Sequence, residues 1–274
     1  MVDATRGGIG RQLKFKDHFD IVHIDESWFY LMSNEGKVLL IEDVDVGIMP
    51  QCQHKSHIEK IMFITAMARP RRLPDGTWFD GKIGIWPCTE NYTTQRRSKH
   101  GPMGTVIQVN KTVDGNFYHH LFVQQGGIFD AIEETMPWMR NQTVIIQQDG
   151  AKPHTGEGTI RDLELAGSGD GWTMKFITQS SQSPDVNIND LGFFNSLKSR
   201  VREIQAYTTE REEMMEIVNR CFREYPMENL DGIWGCLFNN YRSIFALPVM
   251  AVISTLKHIM GVDRGVKIPE LRST

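Results

Sequence analysis

Short apolar runs broken by polar turn residues fill the first quarter of the chain. IVHID, WFYLM, KVLLIED and KIMFITAMA, all between residues 21 and 68, are rich in β-branched or aromatic residues and are split by turn formers such as Asn34 and Gly36. Each reads as a strand, and their close succession predicts antiparallel neighbours. RPRRLPDGTWFDGKIGIWP, punctuated by Pro, Asp-Gly and Gly, reads as a hairpin or long loop. CTENYTTQRRSKHGPMG (88–104) is polar and basic and reads as an exposed loop. Residues 105–123 alternate well enough for a further hairpin turning at Asp114–Gly115. A helical pattern over 120–139 is interrupted by Gly126 and Gly127, and VIIQQD is a strand that closes on Asp149. A short helix from Thr155 to Leu165 stops at GSGDG, followed by the strand WTMKFIT and the turn-rich SSQSPDVN.

The last third has the helical period. Leu191, Phe194, Leu197, Val201 and Ile204 form one stripe. Thr209 and Glu212 read as a capping box ahead of Met214, Ile217, Val218, Cys221 and Phe222. Leu230, Ile233, Trp234, Leu237, Phe238, Tyr241, Ile244 and Phe245 line a third helix. There is no internal repeat. Strands first, then strand–helix alternation, then helices predicts an α/β fold, a mixed sheet with helices packed on its faces.

Composition narrows the class. With 274 residues, 40% of them hydrophobic, the chain can bury a sizeable core as one large domain or two small ones. No window approaches the roughly 18 consecutive apolar residues of a membrane helix. The first twenty residues lack the apolar segment of a secretory signal, and Arg6, Arg11, Lys14 and Lys16 give them the look of a loose basic arm. Four cysteines without a CxxC pair favour a reducing compartment. Cys52, His54 and His57 make a C-x-H-x-x-H run of the type that ligates zinc, with no second ligand pair at finger-like spacing. The net charge of -4 means that any affinity for nucleic acid has to come from local basic patches.

Three acids stand where chemistry is most easily built. Asp25 closes IVHID, Asp149 closes VIIQQD, and Asp190 precedes a helical stripe. Carboxylates brought together from distant segments repel one another and call for a cation or a raised pKa. Mg²⁺ suits such a site because it takes oxygen ligands and keeps room for water and phosphate. Two ions about 3.5–4 Å apart can clamp the attacking and leaving oxygens of a phosphodiester displacement. Each acid also has an ordinary reading. Asp25–Glu26 is a solvated acidic pair, Asp149–Gly150 a turn, and Asp190 a helix-start carboxylate three residues after an Asn187 cap. On spacing alone, Asp185 competes with Asp190 for the third position.

VHIDESWFY, KIMFITAMARPR, FDGKIGIWP, IIQQDGAKPH and SPDVNINDLGFFNSLKS occur in this order between about residues 20 and 245. Together they resemble the catalytic domain of mariner-like transposases of the Tc1/mariner superfamily, nearest its plant-type branch. The resemblance implies an RNase H-like fold over residues 20–246, with an inserted loop or hairpin around 70–118, flanked by an arm (1–19) and a tail (247–274). It implies a DDD triad of Asp25, Asp149 and Asp190 that binds Mg²⁺ or Mn²⁺ as two ions, and makes Asp185 a turn residue. The implied activity is cleavage of DNA at transposon ends and strand transfer into TA target sites. The partners would be DNA and a second copy of the chain, the location the nucleus, with no membrane.

Other residues follow from the same likeness. Arg71, Arg72, Arg96, Arg97, Lys99, Lys198 and Arg200 are candidate phosphate contacts or solvated loop charges. His154 is a candidate for contacting DNA, for ordering the metal-site loop, or for a plain loop hydrogen bond. Gly150 departs from the Asn that many relatives carry there. Only about twenty residues precede HIDE, too few for the helix-turn-helix modules of the family, so the expectation is an isolated catalytic domain. The alternative is a catalytically inactive or domesticated module that binds DNA or protein.

Overall fold

The computed structural model describes residues 2–3, 14–15, 17–30, 59–97, 101–151, 154, 156, 158–180, 183–204 and 210–259, without the side chains of 2–3, 14–15 and 244–259. Its centre is a five-stranded sheet of β1 (Ile21–Tyr30), β2 (Lys60–Ala68), β3 (Lys82–Pro87), β4 (Thr143–Gln148) and β5 (Thr173–Thr178), in the spatial order β5–β4–β1–β2–β3. β2 runs antiparallel to β1 and β3, whereas β1, β4 and β5 are mutually parallel. This is the mixed sheet expected, and its order is that of an RNase H-like fold.

Helices cover both faces. On one side α1 (Gly115–Val123), α2 (Ile128–Thr135) and α3 (Thr159–Ala166) set Tyr118, Phe122, Ile132 and Leu163 against Val22, Ile24, Ile64, Ile146 and Met174. On the other, α4 (Phe194–Ile204), α5 (Arg211–Arg223) and the 33-residue α6 (Met227–Ile259) set Leu197, Val218, Leu230 and Trp234 against Phe29, Ile61, Phe63 and Met67. The two-residue alternation of the central strands feeds both cores at once, which is why they read as near-continuous apolar runs. Each fully buried large side chain contributes about 1.5–3 kcal/mol. Trp234 adds an indole N–H bond to the Ala68 carbonyl at 3.2 Å, tying α6 to the end of β2. Among the described residues no helix is long and apolar enough to cross a membrane.

Several expected boundaries move. IVHID and WFY are one continuous strand, Ile21–Tyr30, with Leu31 and Met32 outside the described residues. KIGIWP is a strand of the central sheet, preceded by a small hairpin pairing Arg71–Arg72 with Trp78–Phe79. The flanking Pro and Gly hide it. Gly84 is there because the Trp86 ring packs over its backbone, and a Cβ would lie 2.3 Å from that ring. The next hairpin pairs Thr89–Thr93 with Val106–Asn110, so part of the expected 88–104 loop is strand. Asp114 does not turn a hairpin; its carboxylate accepts the Phe117 N–H at 2.8 Å and caps α1. Glu210, not Thr209, is the N-cap residue of α5. Thr209, KVLLIED and the Cys52–His54–His57 run lie outside the described residues.

Candidate active site

β1 and β4 pair in parallel with Gln147 opposite His23. Two residues further on stand Asp25 on β1 and Asp149 just past the end of β4, which the register carries to the same level. The ladder beneath them is buried. His23 is fully enclosed, and its ring nitrogen lies 3.3 Å from the Gln147 amide, which also donates to the Val186 carbonyl at 2.8 Å. Burial, with the nearby His18 charge, lowers the His23 pKa to about 3, so it stands neutral beneath the acids.

Asp25 meets Asp190. Burial is the main influence raising the Asp25 carboxyl to about 8; the charges of Asp190 and Glu26 and a carboxyl–carboxyl hydrogen bond with Asp190 add to it. Its two oxygens are oriented by the Glu26 N–H and the Asn187 amide, both at 2.8 Å. Asp190 reaches this spot from a π-helical turn, Asn189–Phe193, where the Phe194 N–H returns to the Asn189 carbonyl. Such single π turns recur at functional sites. This one is pinned by buried Asn189, which accepts from Thr65 Oγ1 at 3.1 Å and donates to the His23 carbonyl at 3.3 Å. Asp185 sits apart on an exposed 3₁₀ turn, its carbonyl held by Asn240.

Asp149 is held by His154. Its Oδ1 takes the His154 Nδ1 at 2.5 Å and the Ala151 N–H at 3.0 Å, and the His154 bond is the main cause of its lowered pKa. The far nitrogen of His154 lies 2.9 Å from Glu26 Oε1, a second carboxylate that favours the imidazolium. Burial opposes the imidazolium; Asp149 and Glu26 outweigh it and lift His154 to about 9. Tyr118 stacks on the imidazole at 4.2 Å, and its hydroxyl donates to Gln148 at 2.8 Å, whose amide holds the His154 carbonyl at 2.9 Å. His154 therefore braces β4 against β1. Among the described residues no three His, Cys, Asp or Glu side chains are grouped to hold an ion, since Asp149 is turned to its histidine while Asp25 and Asp190 pair.

The basic candidates separate. Lys198 is half-buried beside the acids and donates to Ser27 Oγ at 2.6 Å. Arg200 lies over Tyr225, and Arg71 over Phe19 and Trp138. Arg72, Arg96 and Arg97 are exposed, the last two at the end of the 89–110 hairpin; Lys99 lies outside the described residues. Glu26, Tyr118, Gln148, Asn187 and Asn189 were not singled out as functional from sequence. The two asparagines lie inside the SPDVNIND word, which was signal enough to find them. Gln148 likewise lies inside IIQQDGAKPH, whereas Tyr118 lies in none of these words.

No protein-family model matches the chain, and no curated protein does. Solved structures do. The Mos1 transposase paired-end complex with the left transposon end aligns at a TM-score of 0.51 and 15% identity, over 81% of this chain and 56% of that one. The Mos1 mariner paired-end complex with Mn aligns at 0.52 and 16%, over 81% and 53%. The Mos1 strand transfer complex aligns at 0.51 and 16%, over the same shares. The chain thus spans just over half the length of these proteins. At such identity the likeness is one of fold: this chain has the RNase H-like fold of mariner transposase catalytic domains.

Proposed function

We propose that this chain is the catalytic domain of a mariner-like, plant-type DNA transposase that cleaves phosphodiester bonds at element ends and joins the freed 3′-OH to TA target DNA. The observation that carries the reading is the meeting of Asp25 and Asp190, 165 residues apart in sequence, beside a level Asp149, in a fold shared with Mos1 complexes. The donor set fits divalent cations: hard carboxylate oxygens, one of which burial and its acidic neighbours keep protonated to about pH 8. Asp25, Asp190 and Asp149 would hold Mg²⁺ or Mn²⁺, whose charge would activate water and stabilise the phosphate undergoing displacement. Asn187 fixes the Asp25 carboxylate, His154 fixes Asp149, and Asn189 anchors the turn that delivers Asp190. Exposed Arg72, Arg96 and Arg97 are the phosphate contacts, with DNA and a second copy of the chain as partners and the nucleus as location.

A second reading, an inactive module that binds DNA or protein, is favoured by one observation: Asp149 is already satisfied by His154. Mn²⁺ titration by calorimetry separates the two. The transposase reading expects binding that Asp149→Ala and Asp190→Ala each weaken at least tenfold, together with Mn²⁺-dependent nicking of duplex DNA. Binding indifferent to both substitutions, or none, overturns it in favour of the inactive module.

A further inference from the structure

Lys198 stands eight residues after Asp190. In an unbroken α-helix eight residues turn the chain by about 800°, leaving the two side chains roughly 80° apart. The π turn Asn189–Phe193 inserts one extra residue into that span. The span then behaves nearly as seven α-helical residues, and the offset falls to roughly 20–35°. Lys198 is so brought to the helix edge that carries Asp190. From there its ammonium reaches Ser27 Oγ at 2.6 Å. Ser27 lies two residues beyond Asp25 on β1, hence on the same face. The acid pair is therefore closed on one side by a half-buried cation supplied by its own helix.

We propose that Lys198 is a resident counter-charge for Asp25 and Asp190, holding the pair together before divalent cations enter and opposing their entry by its charge. The role rests on the metal-site reading above. Electrostatics at Lys198 agree: burial is the main influence lowering its pKa, with Arg202 adding to it, while Asp190 and Asp25 pull the other way.

Two measurements on the full chain test it. Calorimetric Mn²⁺ titration should show Lys198→Met binding about tenfold tighter than wild type, because a competing charge is gone, while Lys198→Arg stays near wild type. Thermal melts in chelator should show Lys198→Met destabilised and rescued in part by Asp190→Asn, a non-additivity of about 2–4 °C. Should Lys198→Met fail to fold, Lys198→Gln keeps the length and gives the same comparison. Additive melts overturn the assignment whatever the titration gives, and so does Mn²⁺ binding in Lys198→Met that is unchanged or weaker. Coupled melts in a protein that takes no Mn²⁺ leave the counter-charge role standing and overturn the metal reading instead.

Discussion

A carboxyl buried beside a second carboxyl favours its neutral form, and Asp25 is in that position. Burial first, then Asp190 and Glu26, raise it from 3.8 to about 8. Between those values the folded chain keeps a proton that the unfolded chain releases. The stability Asp25 contributes is full below about pH 4 and lost as pH rises through about 8. His154 acts in the same direction one step higher, since Asp149 and Glu26 overcome its burial and raise it from 6.5 to about 9. Its contribution is present below about 6.5 and lost through about 9. Asp149 runs the other way: its pKa is lowered chiefly by His154, so its contribution disappears only as pH falls through the acid range. Melts in chelator should therefore show stability declining from mild acid to pH 9. Asp25→Asn should flatten the lower part of that decline and raise the melting temperature at pH 8.5 by about 2–4 °C. His154→Gln should remove the upper part. A wild-type melting temperature that climbs from pH 6 to 9 would contradict this account of the site.

The elements that present these residues were legible to different degrees, for reasons visible in particular segments. β1, β2 and β4 were plain because centrally placed strands read as near-continuous apolar runs, β5 because buried Met174 and Phe176 alternate with exposed Thr173 and Lys175, and α4 to α6 because their buried residues keep the 3.6 period. β3 was hidden by its own junction. In FDGK, Gly81 has a φ of +85°, its carbonyl accepts the Ala68 N–H at 2.8 Å, and Asp80 accepts the Lys82 N–H at 3.0 Å. That local chemistry looks like loop from sequence, yet it closes β2 onto β3. Asp114–Gly115 misled in the opposite sense, since an Asp-Gly step serves a helix cap as readily as a hairpin. At the site, the acids were legible as strand and helix ends and His154 as a candidate for ordering the loop after Asp149, but the individual roles of the other orienting side chains were not. Asn187, Glu26 and Tyr118 are each distant in sequence from the group they touch or are masked by a commoner role. The glycine argument is testable. Gly81→Ala places a Cβ 2.5 Å from the Ala68 carbonyl at a positive φ and should cost about 1–3 kcal/mol in urea denaturation. Gly150→Asn should change stability by no more than about 0.5 kcal/mol, because a Cβ there meets only the Thr178 methyl at 3.5 Å. Equal costs at the two positions would show that the β2–β3 junction does not depend on Gly81.

Charge over the molecule as a whole decides how it would approach a polyanion. The chain carries 34 acidic against 30 basic residues, a net charge of -4, so its overall field does not draw DNA in. Several basic side chains are also withdrawn from solvent contacts with phosphate. Lys198 is engaged by Ser27, Lys82 by Asp80 and the Tyr225 carbonyl, and Arg71 by aromatic rings. Among the described residues, Arg96 and Arg97 are exposed at the end of the hairpin that follows β3, where the proposed function would have them meet a backbone phosphate. A phosphate contact releases about 0.9 counterion per charge neutralised, and it carries no sequence information. Replacing Arg96 and Arg97 together by Ala should therefore weaken binding to duplexes of unrelated sequence by similar factors and reduce the slope of log affinity against log salt by about 2. Fluorescence anisotropy across a salt series measures both quantities. An unchanged slope would remove the hairpin from the DNA interface. A loss confined to one sequence would make these arginines readers of bases and not anchors for the backbone.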